Sequence, residues 1–170
     1  MIEKFKPLFA VKSSLISLYL ALTIPIPFVS SDNLKIVSII LFFLGLYFIN
    51  SLTSDYVETS DEKIYYKTSI VSKVFGKKNW EISWNEIKFL KSLPTSQGSK
   101  VFYFTLNDNK NFLVPQRLEN LDKLISLVNK KTNTNIDANL IKYISPLWTY
   151  KLLTVLSVSM IIGEIIFFLI

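Results

Sequence analysis

Apolar positions crowd into two regions, before residue 54 and after residue 146, while the stretch between them alternates apolar and polar. One globule would spread those residues through a single core. Their segregation predicts two solvents, lipid for the ends and water for the middle. The first run, about 13–29, follows Lys4, Lys6 and Lys12, and Pro25 and Pro27 near its far end predict a kink. A secretory signal peptide is the rival reading, but the run lacks a small-residue cleavage site and a second run follows almost at once. That second run, 36–52, contains the nearly unbroken IVSIILFFLGLYFI. Only residues 30–35 separate the two, which predicts an antiparallel hairpin. Each is close to the ~20 residues that cross a ~30 Å hydrocarbon core. A third run enters after Pro146 and reaches Ile170, with Trp148, Tyr150 and Lys151 as an aromatic and cationic interface anchor.

Between the runs, short Val-, Ile-, Phe- and Tyr-rich segments predict strands at 56–59, 63–68, 70–75, 80–84, 87–93, 101–106 and 112–114. Polar tips fall at 76–79 and 107–110, and a longer loop at 94–98. After Pro115 the period changes, and Leu118, Leu121, Leu124, Ile125 and Val128 share one helical stripe. Glu119 and Asp122 near its start and Lys130 and Lys131 at its end suit the helix dipole. The expected fold class is membrane α plus a small β domain. A cytoplasmic arm (1–12) leads to a transmembrane hairpin (13–53), then to a small barrel or bent sandwich closed by one helix (54–135). A linker (136–146) and a third transmembrane helix (147–170) follow. In the linker, Ile136, Leu140, Ile141 and Ile144 suit either a short interfacial helix or a covered connector.

Composition narrows the chemistry. The 170 residues include no Cys and no His, which removes disulfides, thiol nucleophiles, the usual Zn sites and His-based acid–base mechanisms. The net charge of +6 suits membrane flanks and anionic headgroups, and no basic stripe interleaved with aromatics points to nucleic acid. Lys is richer in the first arm, the middle domain and at Lys151 than in the hairpin connector. The first residues and the middle domain are therefore expected on the cytoplasmic side, and the chain's end opposite. The acids Asp61, Glu62, Glu119 and Asp122 lack neighbouring bases, and no phosphate loop, nucleophile motif or metal-ligand set appears. No enzyme activity, cofactor, metal or small-molecule substrate is expected.

The segment Trp80-Glu81-Ile82-Ser83-Trp84-Asn85-Glu86-Ile87 is followed by Phe89-Leu90-Lys91-Ser92, then by the strand 101–106 and the tip 107–110. Phe112-Leu113-Val114-Pro115 and the helix 119–131 complete the series. This order resembles the pleckstrin-homology-like domains of bacterial membrane proteins, over about eighty residues, and implies a barrel closed by a final helix. A narrower resemblance is to the photosystem I assembly factor family of chloroplasts and cyanobacteria. It is carried by the Gly76-Lys77-Lys78-Asn79 tip and by Val114-Pro115 with Glu119-Asn120-Leu121, and it implies a role in complex assembly; the third apolar run departs from that family's pattern.

Three groups of residues stand out. Glu164 lies 164 − 151 = 13 positions past Lys151, about 20 Å along a helix, so its carboxyl is either clamped to the hairpin near Ser38, Pro25 and Pro27 or close to the far interface. Lys73, Lys77 and Lys78 surround the Gly76 tip, with Lys63 and Lys67 near, and either contact lipid headgroups or a partner, or form a solvated turn. Trp80 and Trp84, four apart on one strand face, read as core. The leading expectation is a non-enzymatic, membrane-anchored interaction module that assists assembly, stability or regulation of a membrane protein complex. Its partners are membrane lipid and membrane protein subunits, in a bacterial inner membrane or thylakoid. The alternatives are an anionic-lipid-sensing domain and a small transporter or channel subunit using Glu164.

Overall fold

The computed structural model describes residues 2–94, 100–115, 117–132 and 147–170. Its helices are α1 (Phe9–Thr23), α2 (Ile26–Val29), α3 (Asp32–Leu52), α4 (Ile70–Val74), α5 (Leu121–Thr132) and α6 (Leu147–Leu169). Its strands are β1 (Glu3–Phe5), β2 (Tyr56–Thr59), β3 (Lys63–Lys67), β4 (Trp80–Ser83), β5 (Ile87–Pro94), β6 (Lys100–Leu106) and β7 (Asn111–Leu113). The chain divides into two units, Met1–Leu8 with Asp55–Ser145, and Phe9–Ser54 with Pro146–Ile170.

The first unit is built on alternation. An antiparallel sheet runs β1-β2-β3-β4, and a second runs β5-β6-β7. Because successive side chains point to opposite faces, each register row belongs to one face. Phe5, Val57, Ile64 and Ile82 are buried from the first sheet, and Phe102 and Phe104 from the second. The amphipathic α5 adds Leu121, Leu124, Ile125 and Val128 to the same core cluster. Between the sheets, Trp84–Glu86 form a 3-10 turn closed by a reciprocal cap, in which Glu86 Oε2 accepts from the Ser83 N–H at 3.0 Å. Asn109 takes the left-handed conformation at the 107–110 tip, where asparagine is well tolerated.

Three expectations change here. The segment 70–75, read as a strand, is the short helix α4: the Ser69 hydroxyl accepts from the Ser72 N–H, an N-cap that competes with extended backbone. Trp84 lies in the 3-10 turn rather than on the strand of Trp80, though it is buried and its Nε1–H donates to the Ser60 carbonyl at 3.0 Å. The arm is not featureless either, because Glu3–Phe5 pair with Val57–Thr59. The linker 136–146 lies outside the described residues.

The second unit is helical. The segments Phe9–Val29, Asp32–Leu52 and Leu147–Phe168 are long and apolar enough to cross a membrane, consistent with membrane localisation. The helix of the first segment starts at Phe9, before residue 13, and breaks at Pro25, which caps α2. α1 packs along α6, with the small residues Ser14, Ser17 and Ala21 buried on one and Ser157 on the other. Small side chains let helix backbones approach closely. Their hydroxyls are satisfied at home, Ser14 on Val11 O at 2.9 Å and Ser157 on Leu153 O at 2.8 Å.

Candidate functional site

Among the described residues the most heavily hydrogen-bonded side chain is that of Asp55, which the sequence did not single out. It is 7% exposed. Its Oδ1 accepts from the Ser69 N–H at 2.9 Å, and its Oδ2 accepts from the Tyr66 hydroxyl at 3.1 Å, the Ser72 hydroxyl at 3.0 Å and the Lys77 ammonium at 2.8 Å. Burial alone raises its carboxyl. The hydrogen bond from Lys77, with those from Ser69 and Ser72, outweighs burial and leaves it below the ordinary aspartate value. Burial, and then the charge of Asp55, push the Tyr66 phenol well above the usual tyrosine range. The carboxylate therefore holds α4 and the turn after it to the strand β3.

That fastening decides how α4 is presented. Val71 and Ser72 face inward and are buried, while Ile70, Val74 and Phe75 are 74%, 79% and 63% exposed. Gly76, at φ +82°, ends the helix in the left-handed region that glycine adopts without strain. Asn79 Oδ1 closes the base of the turn, accepting from the N–H of Thr68 at 2.8 Å and its hydroxyl at 2.7 Å.

The three lysines of this segment are not equivalent. Lys77 is engaged with Asp55, whereas Lys73 and Lys78 are exposed and have no ion-pair partner among the described residues. Lys63 pairs with Glu81 at 3.3 Å and Lys67 with Glu58 at 2.9 Å, so these two are neutralised across the outer face of the first sheet.

The two sheets differ outside. The outer row of the first reads Lys4, Glu58, Tyr65, Glu81 across four strands. The outer rows of the second read Phe89–Thr105–Asn111, Lys91–Tyr103–Leu113 and Leu93–Val101. On that face Phe89, Leu93 and Leu113 are 42%, 39% and 50% exposed. A sheet face turned to water is ordinarily polar. Strand propensity alone did not separate the two faces; the register does.

In the helical unit, Glu164 sits on α6 with its Oε2 buried and without a hydrogen-bond partner among the described residues. The Ser38 hydroxyl, a clamp for it in one of the two readings, donates to Lys35 O at 2.8 Å within its own helix. Trp148 and Lys151 are exposed in the first turns of α6, with Tyr150 half-buried beside them.

One relative aligns over 149 residues at 30% identity, covering 84% of this chain and 74% of its own length. It is the uncharacterized protein slr0269 of Synechocystis sp. (strain ATCC 27184 / PCC 6803 / Kazusa). The chain belongs to that protein's family. No family model matches the sequence. An alignment of 149 residues is longer than the middle domain, so the relationship extends beyond that domain alone.

Proposed function

We propose that the chain is a membrane-anchored interaction module, without chemistry of its own, that assists assembly, stability or regulation of a membrane protein complex. The observation that carries this reading is the apolar outer face of the second sheet, with Phe89, Leu93 and Leu113 beside Tyr103. The outer face of the first sheet is instead covered with paired charges, so of the two sheet faces the second is the one that exposes apolar side chains. Exposed apolar side chains gathered on one sheet face, here interspersed with Lys91, Thr105 and Asn111, favour a protein interaction site. Two antiparallel sheets of four and three strands with one closing helix support the pleckstrin-homology-like reading of the domain.

In this reading α1–α2, α3 and α6 are inserted in a bacterial inner membrane or a thylakoid, with the β domain on the cytoplasmic side and the end of α6 opposite. The cyanobacterial relative supports such a setting. The test is affinity isolation from native membrane in mild detergent, followed by mass spectrometry. Wild-type protein is expected to migrate with larger membrane subunits, and Leu93→Lys with Leu113→Lys to release it at unchanged abundance. Migration of the wild type solely as a free monomer overturns the proposal.

A further inference from the structure

The segment held by Asp55 has its polarity reversed for a water-facing turn. In a one-turn helix, positions four apart share a face, and α4 turns Ile70 and Val74 outward while burying Val71 and Ser72. Phe75 extends the exposed apolar surface. Lys73 and Lys78 flank it without an ion-pair partner among the described residues, and Asp55, Glu58 and Glu81 are already committed to Lys77, Lys67 and Lys63. An apolar tip ringed by uncompensated cations complements one surface above others, the headgroup layer of an anionic bilayer, which takes apolar side chains below and cations at the phosphates.

Connectivity supplies a second argument. Asp55 lies three residues past Leu52, the last residue of α3. The covalent tether is about 10 Å at most. A span inserted as far as Leu52 thus delivers Asp55, and the side chains hydrogen-bonded to it, to the interface through the chain itself. We propose that α4 and the turn through Lys78 dock on the anionic bilayer surface, with Ile70, Val74 and Phe75 entering the headgroup layer and Lys73 and Lys78 contacting its phosphates. Lys77 has a different task. Bound to Asp55, it keeps the tip folded and does not contact lipid. This surface is separate from the outer face of the second sheet, so its failure leaves the interaction-module reading standing.

The chain has no cysteine, so Val74→Cys in the full-length protein gives one site for a nitroxide label, at a position where the native side chain is exposed. The protein is reconstituted one copy per nanodisc, in phosphatidylcholine alone or mixed with phosphatidylglycerol, with Glu62→Cys as the aqueous reference. Oxygen and nickel-chelate collision rates then report depth. In the anionic discs the label at 74 is expected to be shielded from the chelate and open to oxygen, while the reference stays aqueous. Lys73→Gln with Lys78→Gln should lower the docked-to-undocked ratio roughly twenty-five-fold, about fivefold for each lysine. Ile70→Ser should lower it independently. A label at 74 as aqueous as the reference in both lipids overturns the proposal. So does shielding that ignores lipid charge and both lysines, or shielding that requires two copies per disc, which would assign the tip to a second chain.

Discussion

The hydroxyl of Tyr19 on α1 donates to the carbonyl of Phe42 on α3 at 2.9 Å, and its ring occupies the space that a side chain at Gly45 would fill. A Cβ at position 45 would collide with the phenol. Glycine here serves a close approach rather than a turn, and the pair locks α1 to α3, while the Ser and Thr hydroxyls of α1 bond within their own helix.

Gly45→Ala should therefore loosen the α1–α3 pair more than Tyr19→Phe does. Losing the hydroxyl alone is expected to cost about 0.6 kcal/mol, as interhelical hydrogen bonds in membranes do on average. Resistance to unfolding by SDS, followed by circular dichroism, measures both. Tyr19→Ala in the Gly45→Ala background should recover part of the loss, because the clash is then removed.

Asp55 predicts a pH dependence of definite sign. Its native carboxyl titrates below the ordinary value near 3.9, so on acidification the unfolded chain takes up the proton first. The stability it contributes is complete above that ordinary value and is lost as the pH falls through the lower native one. Tyr66 acts at the other end. Its phenol is raised, so its contribution is complete below about pH 10 and declines as the pH climbs towards the higher native value. Asp55→Asn should flatten the acid limb and lower stability at neutral pH by about 2 kcal/mol, since charge-assisted bonds to a buried carboxylate are lost. Fluorescence of Trp80, whose ring centroid is 5.6 Å from that of Tyr66, reports both limbs.

Leu124 is fully buried in the core under α5. Leu124→Ala should cost about 2–5 kcal/mol through lost burial and the cavity left behind. Thermal unfolding of the full chain in detergent checks it, and a cost under about 1 kcal/mol would mean that α5 is not part of the closing layer.

Glu164 should behave in the opposite sense. A buried carboxyl oxygen without a partner among the described residues costs stability. Glu164→Leu is then expected to raise SDS resistance of the helical unit by about 1–3 kcal/mol. A decrease would reveal a partner for the carboxyl in lipid or in another subunit.

What could be read from the sequence follows from the range of the interactions. Lipid demands unbroken apolar runs, so all three segments were visible as runs and Pro25 marked the break in the first, although the start at Phe9 was not visible. The stripe of α5 was equally local, and Leu121, Leu124, Ile125 and Val128 are buried as their spacing requires. The segment Ile70–Val74 looked like a strand because its residues favour extended backbone. What makes it a helix is a cap at Ser69 and a carboxylate fourteen positions upstream, and periodicity carries no trace of either. For the same reason Asp55 was not singled out, and Lys77 read as one of three equal lysines. The apolar outer face of the second sheet was hidden until register placed Leu93, Tyr103 and Leu113 together.

The pairing of Glu3–Phe5 with Val57–Thr59 has a consequence for biogenesis. Two strands joined in one ladder must lie in the same aqueous compartment, so whatever crosses a bilayer between Phe5 and Val57 must cross an even number of times. Insertion of only one of the two intervening apolar segments, Phe9–Val29 and Asp32–Leu52, would leave the edge strand on the wrong side with its partners out of reach. The ladder thus acts as a parity check on translocation, and it can close only after some fifty residues of intervening chain have been made and threaded.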